Sequence, residues 1–178
     1  KDAGGTLTLE DSLTVDNELR LNSGTLDNNS SPLLARGDVW MGANHANTGG
    51  GGDGIAIAGN TLQELQTTSG TATFHTLTIN NPGGTDSVAV AISEGHDIHI
   101  TQKLKMEMGI MDIGKNLLVL EKNASIKEVN TFSSNNMIQT NISFTDAGIK
   151  KFFPAISSST EFAYPIGSAG KYTPVTFT

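Results

Sequence analysis

The chain has 178 residues, a length that suits one domain or one domain with a small second unit. Its 18 acidic and 11 basic residues give a formal net charge of −7, which argues against nucleic-acid binding because phosphate recognition needs a basic surface. No apolar run approaches the roughly 18 to 20 residues of a membrane-spanning helix. Cysteine is absent, which is compatible with the cytosol and with many secreted bacterial proteins.

The two ends of the sequence indicate a segment of a longer, processed protein. The chain begins at Lys1 without an initiator methionine or an apolar signal core, and it runs directly into a strand-like stretch. It stops at Thr178 within another strand-like alternation. We therefore expect that further chain belongs to the same protein.

Near the N-terminus, short apolar pairs recur at a regular six-residue step. They are Leu7/Leu9, Leu13/Val15 and Leu19/Leu21, each with one polar residue between its members. This alternation places two side chains on the same face of a short strand. The residues between the pairs are of types that favour turns. Three such steps predict about one coil of a three-sided parallel β-solenoid.

A longer internal match supports this prediction. Residues 12–27 align without a gap over residues 97–112, and their apolar positions coincide. Sequence repeats that bury their apolar faces by stacking are typical of solenoids. We therefore predict solenoid repeats over residues 1–128, built on a unit of about 85 residues.

Other architectures explain the pattern less well. Helices are disfavoured because apolar residues recur at every second position and poor helix formers fill the gaps. A left-handed hexapeptide β-helix usually has one apolar anchor per step, so the paired anchors favour an all-β, right-handed parallel β-helix. An antiparallel sandwich remains an alternative, although the six-residue step leaves only about three residues for each reversal.

Two regions depart from the six-residue step. Residues 42–59 form a glycine-rich loop that leads into residues 55–58, for which we predict a thin strand or a close backbone approach. Residues 129–178 contain aromatic clusters, such as Phe152-Phe153, and lack the regular step. We predict that they form a β-rich C-terminal cap, or the start of a further β-sandwich module, with a boundary near residue 129.

Three segments together resemble a known group of proteins. They are residues 73–81 (TFHTLTINN), residues 23–27 (SGTLD) and residues 162–175 (FAYPIGSAGKYTPV). They resemble the repetitive, adhesin-like surface proteins of Bacteroidetes-type bacteria, which are often exported by the type IX secretion system. The resemblance implies an extracellular location at the bacterial surface and a structural or adhesive role. The implied partners are further copies in a fibre, neighbouring modules of the same chain, or surface glycans.

The same resemblance implies candidate sites of O-glycosylation. Such bacteria modify Ser or Thr after Asp and before an aliphatic or small residue. Ser12 and Ser87 both match this pattern, in Asp11-Ser12-Leu13 and Asp86-Ser87-Val88. An ordinary Asp-Ser turn is the alternative interpretation of each match.

The remaining motifs favour structural interpretations. Arg36-Gly37-Asp38 matches the integrin-binding triplet, but strand-like residues flank it, so we do not expect a protruding loop. His96 and His99 would point to opposite faces of a strand, which disfavours a metal site. Asp53 in the glycine-rich loop could bind calcium together with backbone carbonyls, but a single carboxylate favours a flexible loop instead.

Two functional alternatives remain beside the structural one. β-Helices include polysaccharide-degrading enzymes, which need two facing carboxylates, and carbohydrate-binding modules, which use exposed aromatic rings. The carboxylates of this sequence are scattered through predicted turns, and the candidate aromatic residues are Trp40, Tyr164 and Tyr172. We therefore expect a non-enzymatic element without a cofactor, with a carbohydrate-binding module or a polysaccharide-degrading enzyme as the alternative.

Overall fold

The computed structural model of the chain describes residues 4–68, 70–83, 88–140, 148–155, 161–168 and 170–178. These residues form strands and turns and contain no helix. The strands are β1 (Thr6–Thr8), β2 (Leu13–Val15), β3 (Leu19–Leu21), β4 (Thr25–Asp27), β5 (Leu33–Ala35), β6 (Val39–Met41), β7 (Asn44–Ala46), β8 (Ile55–Ile57), β9 (Gln63–Thr67), β10 (Thr71–Asn80), β11 (Val88–Ile92), β12 (Asp97–Asp112), β13 (Leu117–Leu120), β14 (Ser125–Glu128), β15 (Asn136–Gln139), β16 (Gly148–Lys151), β17 (Phe162–Tyr164), β18 (Ile166–Ser168), β19 (Lys171–Tyr172) and β20 (Val175–Phe177).

Parallel pairing arranges these strands on three faces. The first face contains β1, β4, β7, the start of β10, the start of β12, β13 and β16. The second contains β2, β5, β8, the end of β10, the middle of β12 and β14. The third contains β3, β6, β9, β11, the end of β12, β15 and β18. This pairing confirms the predicted parallel β-helix.

The chain visits the three faces in order, and one circuit makes one coil. The first coil consists of β1–β3, the second of β4–β6, the third of β7–β9, and the fourth of β10 and β11. The fifth coil is the single long strand β12, which contributes to all three faces, and the sixth consists of β13–β15. β16 and β18 continue the stack into a seventh coil.

The core lies inside the coils and is built from rows of apolar side chains. On the second face Leu33, Ile55, Leu77 and Leu104 occupy successive coils in register, and all four are fully buried. Alternation along each short strand directs these side chains inward, and parallel register places each one on its counterpart in the next coil. Each coil is therefore protected from water by its neighbours.

Buried amide side chains complete the corners between faces. The Nδ2 atom of Asn81 donates to the backbone oxygens of Thr61 (2.7 Å) and Ala89 (3.1 Å). At another corner Asn116 donates to the backbone oxygen of Ile92 at 3.0 Å. Corner carbonyls lack strand partners, so these amides satisfy backbone groups that would otherwise be buried without a hydrogen bond.

The long internal match in the sequence does not correspond to a structural unit. Leu13 lies on the second face in β2, whereas Ile98, with which it aligns, lies on the first face in β12. All three faces share the same inward apolar pairs, so segments align in sequence even when they lie on different faces. The structural repeat is one coil. Residues one coil apart pair with each other, as Thr6 does with Thr25 at the start of the stack and Leu77 with Leu104 further along it.

The stack continues beyond the predicted boundary at residue 129. β15, β16 and β18 pair in parallel with strands of the preceding coil. Antiparallel pairs join β17 to β20 and β18 to β19, and the β-rich cap stays a prediction. The later coils have longer corners and aromatic residues, which hide the six-residue step in the sequence.

We expect Leu104→Asp to abolish cooperative folding, because it buries a carboxylate without a partner between Leu77 and Ile126. Urea unfolding followed by circular dichroism measures the effect. Leu62→Asp is the control, since the Leu62 side chain is 54% exposed, and we expect it to change stability by less than about 0.5 kcal/mol. Wild-type stability in Leu104→Asp would contradict the assignment of this row to the core.

Candidate functional site

The Arg36-Gly37-Asp38 triplet forms the corner between β5 and β6, the second and third faces. The Arg36 guanidinium pairs with Asp16 of the first coil, Nη1 to Oδ1 3.0 Å. The Asp38 Oδ1 atom accepts a hydrogen bond from the backbone N–H of Glu64 in the third coil at 2.8 Å. The two charged side chains are thus tied to the coils on either side of the triplet. This geometry agrees with the expectation that the triplet does not form a protruding loop.

Gly37 sits where two corners approach each other closely. A Cβ atom at this position would lie 1.3 Å from the backbone oxygen of Asn17 in the coil below. The glycine is therefore required by the stacking of the first and second coils. Sequence reasoning treated Gly37 only as the centre of a binding triplet and missed this packing role.

An open groove of about 540 Å³ follows the same corner across the first three coils. Its charged residues are Asp16, Glu18, Arg36 and Asp38. Carboxylates and a guanidinium form hydrogen bonds with the hydroxyl groups of sugars, so the groove suits a polar ligand. Within the described residues, no three His, Cys, Asp or Glu side chains are grouped in a way that could hold a metal ion.

The histidines of the His96-Asp97-Xaa-His99 motif have separate partners. His96 Nδ1 accepts from the backbone N–H of Thr67 at 2.9 Å. Asp97 Oδ1 accepts from the backbone N–H of Leu117 at 2.9 Å, and His99 Nδ1 lies 3.1 Å from Glu121 Oε1. These three side chains do not converge, so each one joins its own coil to a neighbouring coil.

The glycine-rich loop is fastened to the second face. Thr78 in β10 donates from its hydroxyl group to the backbone oxygen of Asp53 at 2.6 Å. The Asp53 carboxylate forms an ion pair with the half-buried Lys105 of β12. The loop also contains β7, which the sequence reasoning did not predict, and it leads into β8 as predicted. Asp53 is therefore engaged with a cationic side chain of the protein itself.

The candidate sugar-stacking aromatics each contact another side chain. The guanidinium of Arg20 lies over the Trp40 ring, 4.8 Å from its centroid, and Gln66 occupies the paired position on the other side. Tyr172 stacks on Phe132 with ring centroids 6.4 Å apart, and Tyr164 meets Phe162 edge to face at 4.7 Å. Since Trp40 lies between two neighbours in register, its ring contributes to a ladder along the third face.

The structure describes one of the two predicted glycosylation sites, Ser12. Ser12 is exposed, directly before β2, and its backbone N–H donates to Asp11 Oδ1 at 2.6 Å. Its hydroxyl group is thus on a part of the surface that an enzyme can reach. Ser87 lies outside the described residues.

A buried histidine was missed in the sequence. His45 lies in β7, in the inward row that continues from Leu26 below, and only 5% of it is exposed. Burial is the main cause that lowers the pKa of His45, to about 4, and the neighbouring His75 lowers it further. The available signal was its spacing from the inward Leu26, which is the same one-coil step that separates Thr25 from Thr6.

Comparisons with protein-family models, with curated protein sequences and with solved structures found no match. The described part of the chain contains no helix with the length and apolar character needed to cross a membrane.

We expect Gly37→Ala to destabilise the first two coils, because the added methyl group collides with the Asn17 backbone rather than with a flexible side chain. The expected loss is about 2 kcal/mol or more of unfolding free energy, measured by urea denaturation. Gly51→Ala is the matched control, since its Cβ would meet only the Ser30 side chain, 3.4 Å away at Oγ. Equal stabilities of the two variants would contradict the close approach at Gly37.

Proposed function

We propose that the chain is a non-enzymatic structural and adhesive element, a segment of a long extracellular protein or fibre at the bacterial surface. The observation that carries this proposal is the uninterrupted parallel stack of coils on three faces. Each coil adds about 4.8 Å along the axis, so the repeated pairing extends the chain in one direction. Such geometry suits an element that separates a binding tip from the cell.

The surface side chains favour a supporting role over a catalytic one. The motifs with possible chemistry each connect different coils: Arg36 pairs with Asp16 of the preceding coil, and Asp53 of the third coil pairs with Lys105 of the fifth. A side chain engaged in this way contributes to register between coils. The extracellular location and the route of export belong to the proposal through the resemblance to adhesin-like proteins.

The proposal includes association with further modules. Within the described residues, β1, β2 and β3 pair with strands on one side only. Unpaired strand edges accept strands of another chain or module. Neighbouring modules of the same protein, or further copies in a fibre, are the partners with the matching backbone geometry.

A carbohydrate-binding role is the second candidate. The polar groove beside Arg36 favours it, because Asp16 and Glu18 of the first coil and Asp38 of the second offer hydrogen-bond acceptors. Surface glycans are then the expected ligands.

We expect electron microscopy of the native surface protein, sheared from its source cells, to show rods or fibres with an axial repeat. Compact, separate particles would contradict the structural role. The purified chain is then screened against a polysaccharide panel, where we expect neither saturable binding nor release of reducing ends. Saturable binding that disappears in Asp38→Asn but persists in Glu94→Gln, a variant outside the groove, would establish the second candidate instead.

We also propose that Ser12 carries an O-glycan in the native protein. Mass spectrometry of peptides from the source cells is expected to show added hexose-containing mass at Ser12 and its loss in Ser12→Ala. Ser87 is tested in the same digest. Unmodified native peptides covering both serines would remove glycosylation from the proposal.

A further inference from the structure

Within the described residues, the backbone pairing between β7 and β10 is the shortest on the first face. These strands share one paired position, Asn44 with Thr73. The pairs β1–β4 and β4–β7 each share three positions, and β13–β16 shares four. The third and fourth coils therefore share less backbone pairing on this face, and the His45 side chain takes the place of a backbone acceptor for the N–H of His75.

His45 is the side chain at this contact, and both ring nitrogens are engaged. Its Nε2 lies 2.9 Å from Asn28 Oδ1, and its Nδ1 lies 3.2 Å from the backbone nitrogen of His75. The backbone N–H of His75 can only donate, so Nδ1 must be the acceptor. The Asn28 amide donates through Nδ2 to the backbone oxygen of Ser31, which leaves its Oδ1 to accept from Nε2–H. The geometry thus fixes the neutral form of His45 with the proton on Nε2.

The charged groups near His45 do not favour its protonation. The ring centroid of His75 in β10 lies 6.5 Å from that of His45, and a charge on His75 lowers the pKa of His45. The pKa of His75 is itself lowered, mainly by burial and also by the charge of Lys103 in β12. Asp27 in β4 is the opposing charge, but its carboxylate accepts hydrogen bonds from the hydroxyl and backbone N–H of Thr48 and from the N–H of Asn29. A positive charge on His45 is therefore buried with little stabilisation from the neighbouring groups.

We propose that the β7–β10 contact is an acid-sensitive joint, in which protonation of His45 at Nδ1 opens the stack between the third and fourth coils on the first face. The added N–H points at the N–H of His75, so an accepting group becomes a second donor. The second and third faces keep these coils together, because β8–β10 and β9–β11 each share three paired positions. The joint opens on one side while the solenoid persists.

The direction of the pH effect follows from the two states of His45. In the closed joint its pKa is about 4, whereas in the open joint it returns to about 6.5. The open state therefore binds the proton more readily, and closure is fully favoured above pH 6.5 and weakens as the pH falls towards 4. At pH 4 the opening constant is expected to rise roughly a hundredfold over its value at neutral pH.

Native-state hydrogen exchange with mass spectrometry, corrected for intrinsic exchange rates, tests this proposal on the whole chain. Between pH 7 and pH 4 we expect protection at residues 44–46 and 71–75 to fall roughly a hundredfold. Residues 55–57 and 63–67, on the other two faces of the third coil, are expected to keep their protection. A uniform loss on all three faces would overturn the joint in favour of general acid unfolding.

The variant His45→Gln tests whether the acid response depends on protonation of His45. The Gln carbonyl can accept from the His75 N–H and its amide can donate to Asn28 Oδ1, which reproduces the neutral histidine without a titrating group. We expect this variant to lose the acid response, while the control His99→Gln, whose ring contacts Glu121 on the outside, keeps it. An unchanged response in His45→Gln would overturn the proposal.

A measurement on the wild-type protein decides the matter if the variant does not fold. Nuclear magnetic resonance titration of the His45 ring is expected to give a pKa of about 4, well below the ordinary histidine value of 6.5. A His45 ring that titrates near pH 6.5 while the β7–β10 contact stays protected would overturn the joint.

Discussion

Parallel stacking of successive coils is the constraint on which the rest of the structure depends. When backbones lie about 4.8 Å apart in register, each side chain must share its environment with its counterparts above and below. Rows such as Leu33, Ile55, Leu77 and Leu104 satisfy this requirement on the inside. At the corners the same closeness excludes a side chain at Gly37. Burial of apolar area and close backbone approach are thus two consequences of one geometry.

The polar groups inside the stack follow the same constraint. Asn81 and Asn116 are buried at corners because the carbonyl groups there need donors that strand pairing does not supply. His45 differs from them, since it stands in an inward row of the first face and its hydrogen bonds require one particular protonation state. A buried polar side chain inside a stack of coils can thus require one particular protonation state.

The surface motifs show how the fold assigns roles to residues. Arg36, Asp38, Asp53 and His99 belong to patterns that suggest integrin, calcium or metal binding, yet each one contacts a residue of another coil. Outward side chains also pair within one coil, as Arg20 does with Glu18. The charged surface thus contains contacts both within and between coils.

The sequence by itself determined the type of element and its repetition. Alternation at Leu13/Val15 and Leu19/Leu21 is local, because a short strand decides by itself which side chains point inward, and it was sufficient to predict a parallel solenoid with a core residue at Leu104. Only the tertiary structure decided which residues of successive coils lie against each other. Leu13 and Ile98 lie on different faces, and parallel pairing continues past residue 129. His45 contacts the backbone of His75, and Gly37 lies against the backbone of Asn17. The physical reason is that corners differ in length, so the register between residues one coil apart depends on contacts that local alternation does not encode.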